Sequence, residues 1–100
     1  MKDRVKVGII GASGYSGEEL IKLLLKHSNC ELKIITSRQY DGRPISEIFP
    51  RFGKCNFKFT KPEIEELVDS DVEVFFLALP HKVASEYAVP LYKAGKKLLI

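Results

Sequence analysis

The feature that most constrains the fold is the segment 5–26, in which an apolar run leads into regularly spaced glycines. The run 5–10 has the composition of a strand, and glycines then occur at every third position from 11 to 17. From Glu18 the apolar spacing becomes helical. A strand, a glycine-rich turn and a helix in this order can place a pyrophosphate on the helix N-terminus. The segment therefore predicts a nucleotide-binding turn, with a purely structural glycine turn as the alternative.

Each glycine of this turn has a separate predicted role. Gly11 lets the chain leave the strand in a tight turn, and Gly14 keeps side-chain atoms away from a phosphate that approaches the backbone. Gly17 lets the helix pack closely on the strand, so neither Gly14 nor Gly17 is expected to tolerate a side chain. The spacing is G-x-x-G-x-x-G, so Ser13 stands where the common G-x-G-x-x-G pattern has a glycine. The residues predicted to bind a cofactor here are Gly11, Ser13, Gly14, Tyr15, Ser16 and Gly17.

Composition narrows the class of protein. One hundred residues allow at most one small domain, and 45% apolar with 29% charged residues is typical of a soluble globular protein. No apolar run approaches the roughly 20 residues of a membrane span, and the basic start leads directly into a strand, so we expect a cytoplasmic protein without a membrane partner. Cys30 and Cys55 are too far apart for a metal or redox motif and are expected to be reduced thiols.

Positive charge is concentrated in the segment 38–61, which carries six basic residues and two acidic ones. Nucleic acid is one interpretation of such a cluster. A small phosphorylated ligand is favoured, because the cluster begins where the ribose of a dinucleotide would lie. The alternative is that most of these charges belong to a solvated loop. We therefore expect a small-molecule cofactor and substrate as partners, and no nucleic acid.

The order of elements predicts the fold class. Strands are expected at 5–10, 31–36, 57–59, 74–79 and from 97 onward, with helices at 15–27, after a capping box at Thr60-x-x-Glu63, and at 83–94. This alternation implies an α/β, Rossmann-like, doubly wound parallel sheet of order 3-2-1-4-5, with the ligand crevice where strands 1 and 4 diverge. Because the last strand runs to Ile100, residues 1–100 are interpreted as an incomplete NADP-binding domain of a larger protein.

Three details of these elements are also predicted. The first helix should bury a broad face formed by Leu20, Ile21, Leu23, Leu24 and Leu25. The long connection 37–56 should contain one helical turn near 45–49, and a connection of this length in a compact domain is often functional. The last helix should kink or restart at Pro90 and should end at Gly95.

Cofactor preference is predicted from the end of the second strand, which reads Thr36-Ser37-Arg38. A domain of this kind that binds NAD usually has a carboxylate here, which accepts hydrogen bonds from the ribose 2′-hydroxyl. A hydroxyl and a guanidinium can instead bind a 2′-phosphate, which a carboxylate would repel. We therefore predict NADP rather than NAD, with Ser37 and Arg38 as ligands. The alternative is that Arg38 is simply a surface residue.

A second set of candidate residues follows the fourth predicted strand. Pro80 forces the backbone out of the sheet beside the crevice, and His81 begins the next helix. Leu79, Pro80 and His81 are predicted to line the cofactor site, and a general-base role for His81 is the less favoured interpretation. The residues form no recognisable Ser-His-Asp arrangement and no metal-binding cluster.

Four motifs together resemble one family, N-acetyl-γ-glutamyl-phosphate reductase. They are G-A-S-G-Y-S-G at 11–17, T-S-R at 36–38, Tyr40-x-Gly42 with Ile48-Phe49-Pro50, and A-L-P-H at 78–81. The resemblance covers essentially the whole chain. It implies a homo-oligomeric, NADP-dependent enzyme of arginine biosynthesis, which reduces N-acetyl-γ-glutamyl phosphate to the semialdehyde with phosphate release. A thiol nucleophile forms the acyl intermediate in this family. The family's catalytic cysteine and histidine have no counterpart in this chain, so no catalytic residue is predicted here.

Two other interpretations are considered. Aspartate-semialdehyde dehydrogenase shares the architecture and has a G-A-T-G-x-V-G turn, but Tyr15 and the A-L-P-H motif favour the first family. The other is a non-catalytic nucleotide-binding module that acts as a sensor.

Overall fold

The computed structural model, which describes residues 4–99, is built around a four-stranded parallel sheet. The strands are β1 (Val5–Ile10), β2 (Cys30–Ile35), β3 (Val74–Leu77) and β4 (Lys97–Leu99), and their order is β2-β1-β3-β4. Strand β1 pairs on both sides, with β2 and with β3, and its residues 7–10 are buried because both faces of the sheet are covered. The carboxyl ends of β1 and β3 therefore lie side by side, where the crevice was predicted.

Helices pack on both faces of this sheet. They are α1 (Tyr15–Lys26), α2 (Ile45–Ile48), α3 (Ile64–Asp69) and α4 (His81–Lys93), with a 3-10 turn at Pro50–Phe52. Alternate residues of β1 enter two separate cores: Val7 and Ile9 pack with α1, whereas Ile10 packs with α3 and α4. Alternation is expected when successive side chains of a strand point to opposite faces. Among the described residues, no helix is long and apolar enough to cross a membrane.

The predicted Rossmann-like α/β class is confirmed, and so is the strand order for four of the five predicted strands. The strand predicted at 57–59 is wrong, because this segment makes one isolated bridge, at Lys58, and the next bridge is at Thr60. Lys58 pairs with Pro44 in an antiparallel bridge, and Thr60 pairs with Thr36 in a parallel one. Two positions that are two residues apart thus have different partner segments, so no continuous ladder forms, although Phe59 between them is fully buried.

The capping box predicted at Thr60-x-x-Glu63 is also wrong. Helix α3 begins at Ile64, its N-cap residue is Glu63, and no side chain caps it. Thr60 is held elsewhere, since its backbone N–H donates to the Ile35 carbonyl over 2.9 Å. A residue fixed at the edge of the sheet is too far from the helix start to cap it.

The buried face of α1 is narrower than predicted. Ile21 and Leu24 are buried, Leu20 is half-buried, and Leu23 and Leu25 are 63% and 42% exposed. With 3.6 residues per turn, a stripe at positions 17, 21 and 24 leaves positions 23 and 25 on the helix flanks.

Helix α4 starts two residues before its predicted beginning and runs through Pro90 without a restart. Gly95, at φ +86°, follows it and ends the element as expected. The helical turn predicted near 45–49 is confirmed as α2.

The long connection after β2 is anchored by aromatic packing. Phe59 and Phe49 meet edge to face with ring centroids 6.3 Å apart, and Phe49 makes a similar contact with Phe52 at 6.1 Å. These rings belong to the core on the α1 side of the sheet. The connection therefore packs as part of the domain and holds the residues after β2 in place.

Candidate functional site

The turn after β1 is tied to the end of β2 by two hydrogen bonds. The Gly11 N–H donates to Thr36 Oγ1 over 3.1 Å, and the Ala12 N–H donates to the Thr36 carbonyl over 2.8 Å. Gly11 has φ +82°, and a Cβ built there would lie 2.4 Å from Leu79 Cδ2. The tight turn expected at Gly11 is thus present, and only glycine fits it without strain.

Gly14 and Gly17 differ sharply in what surrounds them. A Cβ at Gly17 would lie 2.3 Å from the Ala12 carbonyl oxygen, so the close approach predicted at Gly17 exists, but to the turn after β1 rather than to the strand itself. A Cβ at Gly14 would meet no described atom within 4 Å, and its φ of −85° is open to any residue. The protein alone therefore does not require glycine at 14. Its predicted intolerance of a side chain stays a prediction for the ligand-bound protein.

The N-terminus of α1 is open toward this space. Gly14 is the N-cap residue, and no side chain caps the helix. The first backbone N–H groups of a helix have no partner within it, and the helix dipole makes them favourable for an anion. A pyrophosphate would find both the room at Gly14 and these donors.

Hydroxyl groups from two loops meet at the carboxyl end of β2. The Ser37 hydroxyl donates to Ser13 Oγ over 3.1 Å and accepts from the Tyr40 N–H over the same distance. Thr36 and Ser37 are almost completely buried. The glycine turn and the loop after β2 are therefore joined through polar side chains.

Arg38 reaches across the site to the opposite wall. Its guanidinium donates a hydrogen bond of 2.5 Å to the hydroxyl of Tyr87, which lies on α4 and is 2% exposed. Arg38 itself is exposed on the loop after β2. The two residues are 49 positions apart in sequence, so only the fold brings them together.

These elements enclose a cleft of about 320 Å³, which we call the turn cleft. Its lining residues are Ile10, Gly11, Ser13, Gly14, Thr36, Ser37, Arg38, Gln39, Pro62, Ala78, Leu79, Val83 and Tyr87. Within the described range 4–99, none of the residues that line it is acidic. A cleft with one guanidinium, two serines and no carboxylate suits a phosphorylated ligand.

A second cleft of about 350 Å³, here the His81 cleft, adjoins the first at Ala78 and Leu79. Its lining residues are Ser16, Leu20, Leu77, Ala78, Leu79, Pro80 and His81. Pro80 is the N-cap residue of α4, and His81 is the first residue of that helix and is exposed. Together the two clefts follow the carboxyl ends of β1 and β3.

The predicted site residues are thus distributed over a continuous surface. Six line the turn cleft: Gly11, Ser13, Gly14, Ser37, Arg38 and Leu79. Ser16, Pro80 and His81 line the His81 cleft, while Tyr15 is 80% exposed and Gly17 is buried against Ala12. Tyr15 and Gly17 line neither cleft. Contact of any of these residues with a cofactor stays a prediction.

Seven residues that line the turn cleft were not among the predicted site residues: Ile10, Thr36, Gln39, Pro62, Ala78, Val83 and Tyr87. Val83 and Tyr87 are four residues apart and so share one face of α4. Their spacing, beside a strand end already assigned to the crevice, was the available signal.

Most of the basic cluster at 38–61 does not reach the turn cleft. Arg43 pairs with Glu47, and Arg51 bridges Glu18 at 3.4 Å and Glu19 at 3.0 Å. The hydrogen bond with Glu19 raises the pKa of Arg51 above its ordinary value. Of the six basic residues, Arg38 alone is among those that line the turn cleft in the described part of the chain. Arg43 and Arg51 are thus engaged by acidic side chains, and ligand binding by Arg38 stays a prediction.

Among the described residues, neither a cysteine nor a group of metal ligands lies at this site. Cys30 and Cys55 are free, half-buried thiols, and neither lines the turn cleft or the His81 cleft. No three His, Cys, Asp or Glu side chains in the range 4–99 are placed to hold a metal ion.

Residues 6–99 match the family described as semialdehyde dehydrogenase, NAD binding domain. The chain belongs to this family. The predicted nicotinamide dinucleotide cofactor and the oxidoreductase class agree with membership of the semialdehyde dehydrogenase NAD-binding domain family.

Among individual proteins, the chain is similar in sequence to several acyl-phosphate reductases. The chain is 44% identical over 99 residues to an N-acetyl-γ-glutamyl-phosphate reductase of Akkermansia muciniphila. This alignment covers 96% of this chain and 28% of the relative. It is 43% identical to a [LysW]-L-2-aminoadipate/[LysW]-L-glutamate phosphate reductase of Saccharolobus solfataricus, over 95% of this chain and 27% of that protein. The chain thus spans less than a third of the length of these curated relatives.

A solved structure supports the fold. The aspartate-semialdehyde dehydrogenase of Candida albicans, determined with NADP, superposes with a TM-score of 0.76 over 96% of this chain and 29% of its own. Sequence identity is 23%, so this likeness concerns the fold alone.

Proposed function

We propose that this chain is the cofactor-binding part of an NADPH-dependent reductase. The enzyme would reduce N-acetyl-γ-glutamyl phosphate to N-acetylglutamate semialdehyde with release of phosphate, a step of arginine biosynthesis. The observation that carries the proposal is the similarity, at 43–46% identity over nearly the whole chain, to reductases of which most bear this name. We also propose a cytoplasmic location, as the composition predicts, and the homo-oligomeric state that the sequence resemblance implies. Fractionation and size-exclusion chromatography test these two proposals.

The two clefts would divide the cofactor between them. The open N-terminus of α1 at Gly14 would hold the pyrophosphate, with Ser13 beside it, and Ser37 and Arg38 would hold the 2′-phosphate. Ser16 and residues 79–81 would line the remainder of the cofactor in the adjoining His81 cleft. When bound, the reduced nicotinamide supplies a hydride. We assign no nucleophile in this chain, since Cys30 and Cys55 both lie away from these clefts.

The preference for NADPH over NADH is supported by the charge of the turn cleft. Arg38 is its cation, and no acidic residue lines it in the described part of the chain. Replacement of Arg38 by alanine should raise the dissociation constant of NADPH about tenfold, which equals a loss of about 1.4 kcal/mol in binding free energy. This lies near the lower end of the range for charge-assisted bonds, because solvent screens an exposed guanidinium. The dissociation constant of NADH should change little.

A second candidate substrate comes from the Saccharolobus relative, whose name specifies a [LysW]-linked acyl phosphate. The similarity of this chain to that protein is nearly as high as to the N-acetyl reductases. Both candidates are reductions of an acyl phosphate and place the same demands on the cofactor-binding part.

The decisive experiment is an NADPH oxidation assay on the full-length protein that carries this sequence. N-acetyl-γ-glutamyl phosphate, the [LysW]-linked phosphate and aspartyl phosphate are compared at equal concentration. Rapid turnover of the N-acetyl substrate alone supports the proposal. Preference for the [LysW]-linked substrate selects the second candidate, and preference for aspartyl phosphate selects the dehydrogenase alternative. NADPH binding without turnover of any substrate would instead favour the non-catalytic module.

A further inference from the structure

We infer that Tyr87 is a positioning residue for cofactor selection, which holds the Arg38 guanidinium where it can receive the 2′-phosphate of NADPH. The inference rests on the proposed preference for NADPH. It adds a residue from α4 to a selection otherwise assigned to the loop after β2.

The first observation is that the buried Tyr87 side chain contacts the exposed Arg38 side chain. The Tyr87 ring is 2% exposed and belongs to the core that contains Ile10, Phe75 and Leu91. Arg38 is exposed, and among the described residues its guanidinium has one hydrogen-bond partner, the Tyr87 hydroxyl. A phenol held by core packing at its ring can therefore fix the end of a long and otherwise mobile side chain.

The second observation is that this contact leaves the guanidinium able to bind an anion. Arginine has five N–H donors, and the bond to Tyr87 uses one of them. The tyrosine hydroxyl accepts this bond, so it does not compete as an anion would. Fixing Arg38 before the cofactor arrives reduces the ordering that binding would otherwise require.

The third observation is that acidic residues lie close to Arg38, in a cleft next to the turn cleft. Arg38, Pro62 and Tyr87 line the turn cleft and also a neighbouring cleft of about 430 Å³. Three acidic residues, Glu63, Glu65 and Glu86, line that neighbouring cleft, which we call the acidic cleft, together with one further basic residue, Lys61. The Arg38–Tyr87 pair thus forms the wall between the two. A guanidinium released from Tyr87 can turn toward these carboxylates and away from the turn cleft.

Tyr87→Phe tests the inference, because it removes the hydroxyl and keeps the buried ring. Tyr92→Phe is the matched control, since Tyr92 lies on the same helix, is 75% exposed and lines neither the turn cleft nor the acidic cleft. Dissociation constants of NADPH and NADH are measured for the full-length protein at fixed ionic strength, with thermal unfolding of each variant. Loss of one such hydrogen bond should weaken NADPH about three- to tenfold in Tyr87→Phe. NADH should change less than about twofold, and Tyr92→Phe should match the wild type.

The double variant Arg38→Ala/Tyr87→Phe separates positioning from packing. If Tyr87 acts through Arg38, the double variant should bind NADPH no more weakly than Arg38→Ala. Additive losses, equal losses for both cofactors, or an unchanged NADPH constant in Tyr87→Phe would each overturn the inference. An Arg38→Ala variant with an unchanged ratio of the two constants would instead overturn the proposed NADPH preference itself.

Discussion

The hydroxyl of Ser37 donates to that of Ser13 over 3.1 Å, and this contact joins the loop after β2 to the glycine turn after β1. Ser13 replaces the middle glycine of the commoner nucleotide-binding pattern, so the contact is possible only because a side chain is present there. The position beside α1 that would receive the pyrophosphate and the one that would receive the 2′-phosphate are thereby held in a fixed relation.

Ser37→Asp should reverse the proposed cofactor preference. The new carboxylate would repel a 2′-phosphate and could accept a hydrogen bond from a free 2′-hydroxyl. We expect NADPH to weaken by more than the roughly tenfold loss expected for Arg38→Ala, while NADH binds as well as before or better. The measurement is the ratio of the two dissociation constants at fixed ionic strength. Ser37→Ala is the control for loss of the serine bonds, and an equal effect of both substitutions would contradict the role of charge.

Local signals in the sequence were sufficient for the first part of the fold. The strand at 5–10 was predicted to the residue, and the helix that follows the glycines differs from the prediction by one residue at its end. Glycine conformation and apolar spacing are properties of short segments, so they can be read without knowledge of the fold. The positive φ at Gly11 and the close contact at Gly17 have this local origin.

Features that depend on distant partners were predicted poorly. Whether 57–59 forms a strand is decided by distant partners: Pro44 bridges Lys58, whereas Thr36 bridges the following Thr60. Tyr87 enters the site because α4 packs on the sheet face that holds Ile10 and Phe75. The spacing of Val83 and Tyr87 gives only their shared helix face, not what that face meets. The exposure of Leu23 has the same cause, since the width of a buried helix face is set by what covers it.

The ion pair between Lys6 and Asp71 gives a prediction for acid stability. Their charged atoms are 3.1 Å apart, and the hydrogen bond from Lys6 holds the pKa of Asp71 below its ordinary 3.8. A lowered folded-state pKa means that this contribution is present above pH 3.8 and is lost as the pH falls through the lower folded value. Asp71→Asn should therefore unfold more easily than the wild type at neutral pH, and the two should converge in acid.

Denaturant unfolding of wild type and Asp71→Asn over a pH series checks this prediction, with Lys6→Met as the partner variant. Both charges are exposed, so the difference at neutral pH should also shrink in high salt. The same bond raises the pKa of Lys6. The stability that the charged Lys6 contributes should therefore be lost only at strongly alkaline pH, as the pH rises through this raised pKa. A difference that persists unchanged into acid would show that Asp71 acts through packing or hydrogen bonding alone.

The two cysteines should be dispensable for the proposed reduction. Cys30 begins β2 and Cys55 follows the 3-10 turn, and both are half-buried away from the turn and His81 clefts. We expect Cys30→Ser and Cys55→Ser in the full-length protein each to retain turnover within about threefold of wild type, because neither thiol lines a cleft proposed to hold the cofactor. Steady-state kinetics with NADPH measure this. Loss of turnover with folding and NADPH binding intact would place the nucleophile in this chain.

Gly14 and Gly17 provide a matched pair that separates ligand binding from folding. The same added methyl group meets open space at Gly14 and the Ala12 carbonyl at Gly17. Gly17→Ala should lower the free energy of unfolding by about 1–3 kcal/mol, because α1 must move away from the turn. Gly14→Ala should change it by less than about 1 kcal/mol, the scale of an exchange at an N-cap.

For NADPH binding, in contrast to folding, a substitution at Gly14 should have a larger effect than one at Gly17. A side chain at Gly14 projects into the space at the open end of α1, where the proposed pyrophosphate must approach backbone N–H groups. Gly14→Val, which enlarges this obstruction, should weaken NADPH and NADH alike, since both carry the pyrophosphate. Equal loss distinguishes it from Arg38→Ala, which should affect NADPH selectively. Unchanged affinity of a folded Gly14→Val variant would mean that the pyrophosphate does not lie at this helix, and the assignment of the turn cleft would then fail.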